Sequence, residues 1–287
     1  MKNQDKIFKE ITDQIIANLE TAKKWDKPWN AVSEAPSNAI SGKNYKGINW
    51  LILSLSKYSN PQWLTYKQAK ELGGNVKKGE KGTQIIYFKM LLKEDKDGNE
   101  TKFPMTKTYS VFNLEQCENL KTDKIKNYDP SENIDIHASQ SSIKELIKQL
   151  NVELHHGGDR AFFDMNADYI KMPYTNTFKS IEHYDSTLLH ELTHWTGHEK
   201  RLNRKYGKSF GSKDYAFEEL VAELGSAMAG SILGLSYEGL QHEEYIASWL
   251  EALKGDIKYI YDASKLSQKA VNYMIENSKS IQLKEVA

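Results

Sequence analysis

Apolar residues recur every four positions near the start of the chain, a spacing that predicts an amphipathic helix. Two shorter segments are also predicted to be helical, and the second ends at the glycine pair Gly73-Gly74. The period then shortens, and two apolar runs around the polar segment EDKDGNE predict a β-hairpin. The helices are predicted over residues 7–22, 47–57 and 66–72, and the hairpin strands over residues 83–92 and 107–115.

The second part of the chain begins after residues 122–140, which are polar and show no periodicity. A helix is predicted over residues 141–151, followed by a hairpin with the strands RAFFDM and DYIKMP, and by helices from Asp185 onward. We therefore expect an α+β protein of two domains. The predicted boundaries are residues 1–127 for an α+β domain, 128–140 for a linker and 141–287 for a mostly helical domain with a small β-sheet.

Charge is divided unevenly between these two parts, although the net charge of the 287 residues is zero. Residues 1–127 hold 22 lysines against 15 acidic residues, a net charge of +7, and the remainder carries −7. The sequence shows neither a signal peptide nor an apolar run long enough to span a bilayer, and its single cysteine, Cys117, excludes an internal disulfide. These features predict a cytoplasmic protein that does not insert into a membrane.

The segment LLHELTHWTGH carries the motif HExxH, with His190 and His194 four residues apart and Glu191 between them. Asp185 and Ser186 are predicted to cap this helix, whose one face then presents both imidazoles to a single ion. In such a site Zn²⁺ activates a water molecule, the glutamate takes its proton, and a peptide carbonyl is attacked. The motif also occurs by chance on amphipathic helices, but the strand DYIKMP, suited to pairing with an extended peptide, favours the metal site.

A third ligand is needed, and the position where HExxHxxGxxH would place a histidine holds Lys200. His198 follows on the same helix and is too poorly placed to complete a tetrahedron, so we interpret it as a structural residue or as one that supports the metal ligands. The helix over residues 215–234 offers Glu219 among small residues that allow a second helix to approach, and Glu218 remains an alternative. Glu223, one turn later, is predicted to orient a ligand histidine. Other divalent ions are compatible with this ligand set, and a purely structural metal site stays open.

The basic first part combines lysines with aromatic residues between positions 43 and 89. Lysines neutralise phosphates and aromatic rings stack on unpaired bases, which favours single-stranded DNA, with double-stranded DNA as a further partner. Trp50, Trp63 and Tyr87 lie among apolar residues and are interpreted as core, and a lysine cluster is often only a solvated surface. The candidate DNA-binding residues are Lys43, Tyr45, Lys46, Tyr66, Lys67, Lys77, Lys78 and Lys81.

Six blocks together resemble the ArdC-type antirestriction proteins of conjugative plasmids: NYKGINWLILSL, PQWLTYKQAKELGGNVKKGEKGTQIIYF, VFNLEQ, HGGDRAFFDMNADYIKMP, LLHELTHWTGHEKRLNR and YAFEELVAELGSAMAGSILGL. The resemblance implies an N-terminal single-stranded DNA-binding domain and a C-terminal zincin-like metallopeptidase domain, which protect incoming mobile-element DNA from restriction. By position His190, Glu191 and His194 match the metal motif, and Glu219 falls in the EELVAELG block. A DNA-dependent zinc protease acting on DNA-bound proteins is the alternative function.

Overall fold

The computed structural model describes residues 8–9, 11–13, 15–17, 35–94, 100–121, 123, 125, 136–205, 212–235 and 250–278. The described residues before position 18 are helical, as predicted, and the rest of that predicted helix lies outside the described part. Residues 250–255 are also helical. The other helices are α1 (Ile48–Ser54), α2 (Tyr66–Glu71), α3 (Ile136–Gln149), α4 (Ile181–Thr196), α5 (Lys213–Leu233) and α6 (Tyr259–Glu276).

The N-terminal domain is built on a sheet of four strands in the order β1-β2-β5-β4. Its long hairpin pairs Thr83 with Val111 at one end and Glu94 with Glu100 at the other, so the returning strand begins seven residues before its predicted start. The predicted turn lies at residues 95–99, outside the described residues. The strands here are β1 (Ser37–Asn38), β2 (Gln62–Thr65), β3 (Asn75–Val76), β4 (Thr83–Glu94), β5 (Glu100–Asn113) and β6 (Cys117–Glu118).

Each face of this sheet packs against a different element. Val111 and Trp63 contact Leu53 of α1 on one face, whereas Leu64 contacts Ala69 of α2 on the other. The edge strand β4 is protected by Asn49, whose amide donates to the carbonyl of Ile86 at 2.7 Å and whose carbonyl accepts from the Ile86 N–H at 2.8 Å. Asn49 thus occupies backbone groups that an edge strand otherwise leaves open.

The C-terminal domain places a second sheet before its helices, with the strands β7 (Leu154–His156), β8 (Phe162–Asp164) and β9 (Tyr169–Met172) in the order β7-β9-β8. The predicted hairpin is present, but the prediction that DYIKMP pairs with a peptide is wrong, because β9 is the central strand and has partners on both sides. Helix α3 starts at Ile136, inside the predicted linker. Among the described residues, no helix combines the length and apolar composition needed to cross a bilayer.

Helices α4 and α5 approach closely because α5 carries small residues on the side that faces α4. A Cβ atom added to Gly225 would lie 2.5 Å from the Cγ2 atom of Thr193. One residue further along α5, the Ser226 hydroxyl donates to the carbonyl of Ser186 at 3.0 Å. The small residues predicted to admit a neighbouring helix therefore do so, and they set the separation at which side chains meet across the pair.

The two domains share one hydrophobic core. Its buried residues come from the N-terminal helix, from α1 and from all the C-terminal helices, including Phe8, Trp50, Leu189, Leu224 and Val271. Hydrogen bonds cross the same junction: the Trp50 indole donates to Ser231 Oγ at 3.1 Å, and the Thr12 hydroxyl donates to the carbonyl of Ile257 at 3.0 Å. A continuous core of this kind holds the domains in one relative orientation.

We expect Gly225→Ala to lower the free energy of unfolding by about 1–3 kcal/mol, because the added methyl group meets Thr193, a buried, β-branched residue whose hydroxyl is bonded to the carbonyl of Leu189. Chemical denaturation monitored by circular dichroism measures the change. The matched control is Gly255→Ala, a helical glycine whose added Cβ meets nothing within 4 Å. The control should be neutral or slightly stabilising. Equal stability of the two variants would contradict the close helix contact.

Candidate metal centre

Helix α4 begins earlier than its sequence suggests. Ser180 is the N-cap, and its hydroxyl accepts a hydrogen bond from the N–H of His183, so the prediction that Asp185 and Ser186 cap the helix is wrong. Asp185 lies buried inside the helix, where burial and the charge of Glu182 raise its pKa to about 6. The earlier start leaves the motif in the last two turns of α4, well inside a stable helix.

Three side chains from two helices converge on one point between α4 and α5. The Nε2 atoms of His190 and His194 are 3.1 Å apart, and the two carboxylate oxygens of Glu219 lie 3.4 Å and 3.5 Å from them. Among the described residues, His190, His194 and Glu219 form the group of potential metal ligands whose donor atoms all lie within 4.8 Å of one another. Bonds of about 2.0–2.1 Å in a tetrahedron separate the ligands by roughly 3.3 Å, so the side chains fit a Zn²⁺ ion.

The outer nitrogen of each imidazole faces a second carboxylate. Glu223 lies 3.4 Å from Nδ1 of His190, and Glu218 lies 3.2 Å from Nδ1 of His194. Glu218 is also bound by Arg204, whose guanidinium donates to Oε1 at 2.7 Å and to Oε2 at 3.1 Å. Glu218 therefore faces the side of the ring opposite the convergence point, which favours Glu219 as the third ligand and gives Glu218 an orienting position.

Arg204 is a member of the site that the sequence does not single out. It is buried and also donates to the Thr193 carbonyl at 2.7 Å and to Thr196 Oγ1 at 2.8 Å. These bonds tie the chain after α4 back onto the last turn of that helix. Its only sequence signal is a basic residue in the block LLHELTHWTGHEKRLNR, which contains two other arginine or lysine candidates at Lys200 and Arg201.

The charged states in this interface are set by the contacts just described. Burial opposes the charge of His190, but Glu219, Glu223 and Glu191 outweigh it and hold the pKa of His190 well above its usual value. The same competition raises the pKa of His194 to about 9. Burial also acts against ionised Glu219, yet the two histidines keep its pKa far below the usual range. A metal ion therefore competes with protons for the two imidazoles.

Glu191 occupies a different position from the other acids of the site. It is 8% exposed, and its charge acts on His190. No hydrogen bond or ion pair ties its carboxylate to another side chain in the described part of the protein. A buried carboxylate beside the imidazoles without such a partner is suited to accept a proton from a water molecule.

His198 lies apart from the convergent group. Its Nδ1 atom accepts the backbone N–H of Lys200 at 3.2 Å, and its ring packs edge-on against Phe163 of β8. Asp168 is 3.8 Å from the same nitrogen. These contacts fit the structural role expected for His198, which joins the end of α4 to the small sheet.

The candidate DNA-binding residues lie on the surface of the N-terminal domain but on two faces of its sheet. Tyr66, at the start of α2, is 53% exposed and packs edge-on against Phe112. Tyr45 is half-buried against the cluster that contains Val111, on the opposite face. Lys77 Nζ donates to the carbonyl of Glu115 at 2.8 Å. The exposed lysines are Lys43, Lys46, Lys67, Lys77, Lys78 and Lys81.

One aromatic residue, Tyr87, was misjudged from the sequence. Trp50 and Trp63 are buried as predicted, but Tyr87 is 46% exposed and packs edge-on against Tyr109 at 5.8 Å. Register places Tyr87 opposite Lys107 on the same face of the hairpin. Its apolar neighbours in the run TQIIYFKMLL made Tyr87 look like core, because such a run does not show where along the strand the packing ends.

Two family descriptions match separate parts of the chain. Residues 5–112 match the N-terminal domain of anti-restriction factor ArdC, and residues 141–266 match a zincin-like metallopeptidase described as MPTase-PolyVal. The crystal structure of the antirestriction ArdC protein from the R388 plasmid, in its metal-free form, is 38% identical with a TM-score of 0.76, over 94% of this chain and 97% of that one. This chain belongs to the ArdC antirestriction family.

Three further matches also cover most of this chain. The Mn(II)-bound structure of the same R388 protein is 36% identical, with a TM-score of 0.76 and coverage of 96% and 99% of the two chains. An uncharacterised protein of Sinorhizobium fredii, y4eC, is 32% identical over 98% of this chain and 95% of its own length. A DNA primase TraC of Escherichia coli is 33% identical over 93% of this chain, which spans 27% of that primase. The zincin-like domain and the metal-bound relative support a divalent metal in this ArdC-family chain.

We expect Glu219→Gln to weaken Zn²⁺ binding by more than about 100-fold, because it removes the ligand that α5 contributes. Glu218→Gln should cost only about 10–100-fold, as is typical of residues that orient a metal-bound histidine. Competition with a chromophoric chelator measures both affinities on the purified chain. Glu276→Gln, an exposed substitution on α6, is the control. A larger loss for Glu218→Gln than for Glu219→Gln would reverse the assignment of the third ligand.

Proposed function

We propose that this protein binds single-stranded DNA and protects incoming mobile-element DNA from host restriction, and that it carries a metal-dependent peptidase centre. The observation that carries the proposal is the convergence of His190, His194 and Glu219 in a chain whose residues 5–112 match the ArdC N-terminal domain. The proposed domains are residues 1–127 and 141–287, and within the linker proposed between them, 128–140, residues 136–140 form the start of helix α3. The proposed place of action is the cytoplasm, where incoming DNA and restriction enzymes meet.

The peptidase assignment rests on the separate roles that the buried residues are suited to. When bound, Zn²⁺ supplies Lewis acidity and lowers the pKa of a coordinated water, and Mn²⁺ is compatible with the same ligands. Glu191 is the proposed general base, since its carboxylate is buried and lacks a side-chain partner among the described residues. Glu223 and Glu218 hold the outer nitrogens of His190 and His194, which fixes both rings for binding.

A catalytic centre is favoured over a purely structural metal site by the number of converging groups. Among the described residues, three side chains bring ligand atoms within 4.8 Å of one another. A closed structural site takes four protein ligands, whereas a catalytic zinc site takes three and keeps one position for water or substrate. Glu218, the alternative ligand suggested by the sequence, is bound to Arg204 and faces the other side of the His194 ring.

The DNA assignment rests on charge and exposure. The first 127 residues carry a net charge of +7, and the lysines of the loop between β3 and β4 are exposed. Tyr66 offers an exposed ring close to Lys67 and Lys70. Cationic side chains next to exposed aromatic rings are typical of surfaces that bind single strands without sequence preference.

We expect the triple substitution Lys77→Gln, Lys78→Gln and Lys81→Gln to weaken binding of a labelled single-stranded oligonucleotide. If all three lysines neutralise phosphates, the slope of log Kd against log salt concentration should fall by about 2, at roughly 0.7 per phosphate contact. Fluorescence anisotropy at several salt concentrations measures both quantities. The matched control replaces three exposed lysines of the other domain, Lys144, Lys148 and Lys179, by glutamine. Identical behaviour of the two triple variants would contradict this placement of the DNA site.

We expect Glu191→Gln to abolish peptidase activity but to leave antirestriction intact, because a strand covered by protein is shielded without being acted on chemically. Loss of a general base costs roughly 10²–10⁴-fold in rate. Cleavage of candidate DNA-bound proteins is measured with and without single-stranded DNA, and protection is measured as plasmid transfer into a restricting host. Unchanged metal content of the variant is the control. Protection lost together with cleavage would instead favour the DNA-dependent protease as the function.

A further inference from the structure

A cleft of about 300 Å³ lies at the junction of the two domains, away from the metal centre. One wall is the loop and first turn of α1, with Lys46, Gly47 and Asn49, and the other wall is helix α6. The walls are joined by a hydrogen bond, 2.8 Å long, from the N–H of Gly47 to Oε1 of Gln268. The cleft is therefore a fixed feature of the domain junction rather than a gap between two loosely packed parts.

The charged residues that line this cleft are all positive. Lys46 from one domain and Lys265 and Lys269 from the other line it, and no acidic side chain is among its lining residues in the described part of the chain. None of the three ammonium groups forms an ion pair with a described carboxylate. Lys265 and Lys269 are four residues apart on one helix face, a spacing at which like charges repel. Three such cations around one cleft point to an anionic ligand.

The remaining lining groups suit a nucleotide. Gln268 and Asn272 add carboxamides to the α6 wall, where Gln268 Nε2 donates to Asn272 Oδ1 at 3.0 Å, and Tyr261 adds a phenol ring. The loop that leads into the cleft carries Lys43, Tyr45 and Lys46 within four residues, and both lysines are exposed. A strand lying along that loop would continue into the cleft. The volume is at the lower limit of ligand pockets, which fits one nucleotide of a single strand rather than a duplex.

We propose that this junction cleft binds the phosphodiester backbone of single-stranded DNA, so that the strand is contacted by both domains at once. The proposal rests on the proposed function, in which the N-terminal domain binds single strands, and it adds the last helix of the peptidase domain to the DNA site. The inner side of that helix is packed on the metal-binding helix, where Ser267 Oγ donates to the carbonyl of Val221 at 2.8 Å. A DNA strand in the cleft thus lies one helix away from the helix that carries Glu219.

The test compares the intact chain with the double variant Lys265→Gln and Lys269→Gln in binding to a labelled oligothymidylate of about 20 nucleotides. Loss of two phosphate contacts should weaken binding about 10-fold at low salt and lower the salt slope by about 1.4. The matched control is Lys144→Gln with Lys148→Gln, two exposed lysines at the same spacing on α3 of the same domain. Its affinity should stay within about 2-fold of the unchanged protein, because its lysines are outside the cleft. Thermal unfolding checks that both variants are folded.

Each outcome has a separate meaning. If the unchanged protein binds the oligonucleotide and the cleft variant binds as well as the control, the cleft proposal is overturned and the proposed function stands. If the unchanged protein binds no single-stranded DNA at all, the proposed function itself fails. Thymidine monophosphate and inorganic phosphate serve as competitors, and neither should displace the oligonucleotide at millimolar concentration. Binding of the monophosphate that is lost in the cleft variant, with oligonucleotide affinity unchanged, would replace the proposal with a free-nucleotide site.

Discussion

Close packing of α4 on α5 is the constraint on which the rest of the centre depends. It buries four glutamates, two histidines and one arginine: Glu191, Glu218, Glu219, Glu223, His190, His194 and Arg204. Buried charges are tolerated only when they are paired or bound to a metal. With neutral histidines this set would carry a large excess of negative charge. Protonation of the imidazoles, whose pKa values are raised, or binding of a divalent cation reduces that excess, so the buried set suits a positive charge between the two helices.

The small residues of α5 are the reason that this arrangement is geometrically available. Gly225 and Ser226 bring the helix axes close at the level of Thr193 and Ser186, and one or two turns away Glu219 reaches both histidines. The order of contacts runs in opposite directions along the two helices, which is the pattern of an antiparallel pair. A larger residue at Gly225 would widen the gap and move Glu219 away from the imidazoles. The separation of α4 and α5 therefore also sets the distance between Glu219 and the two histidines.

Part of this site was predictable from the sequence because it depends on residues that are close together in the chain. HExxH places two imidazoles on one helix face whatever the rest of the chain does, and the small residues around Glu219 indicate a close helix neighbour. The roles that were predicted wrongly or missed depend on contacts between residues far apart in the sequence. DYIKMP has the apolar pattern of a strand, but only the sheet order shows that it is central and already paired on both sides. Arg204 contacts Glu218, which lies 14 residues later, and Arg204 itself is outside any helix or strand, so no periodicity indicates its role.

The junction between the domains bears on how the two proposed activities are related. The chain aligns as a whole with y4eC, and nearly as a whole with a segment that makes up 27% of a DNA primase TraC. What recurs in these relatives is therefore the pair of domains and not either domain alone. The shared core supplies a physical reason: separating the domains would expose Trp50 and break its bond to Ser231, together with the contacts of Phe8. A pair held in one orientation would keep DNA that is bound as proposed at a fixed position relative to the proposed metal centre.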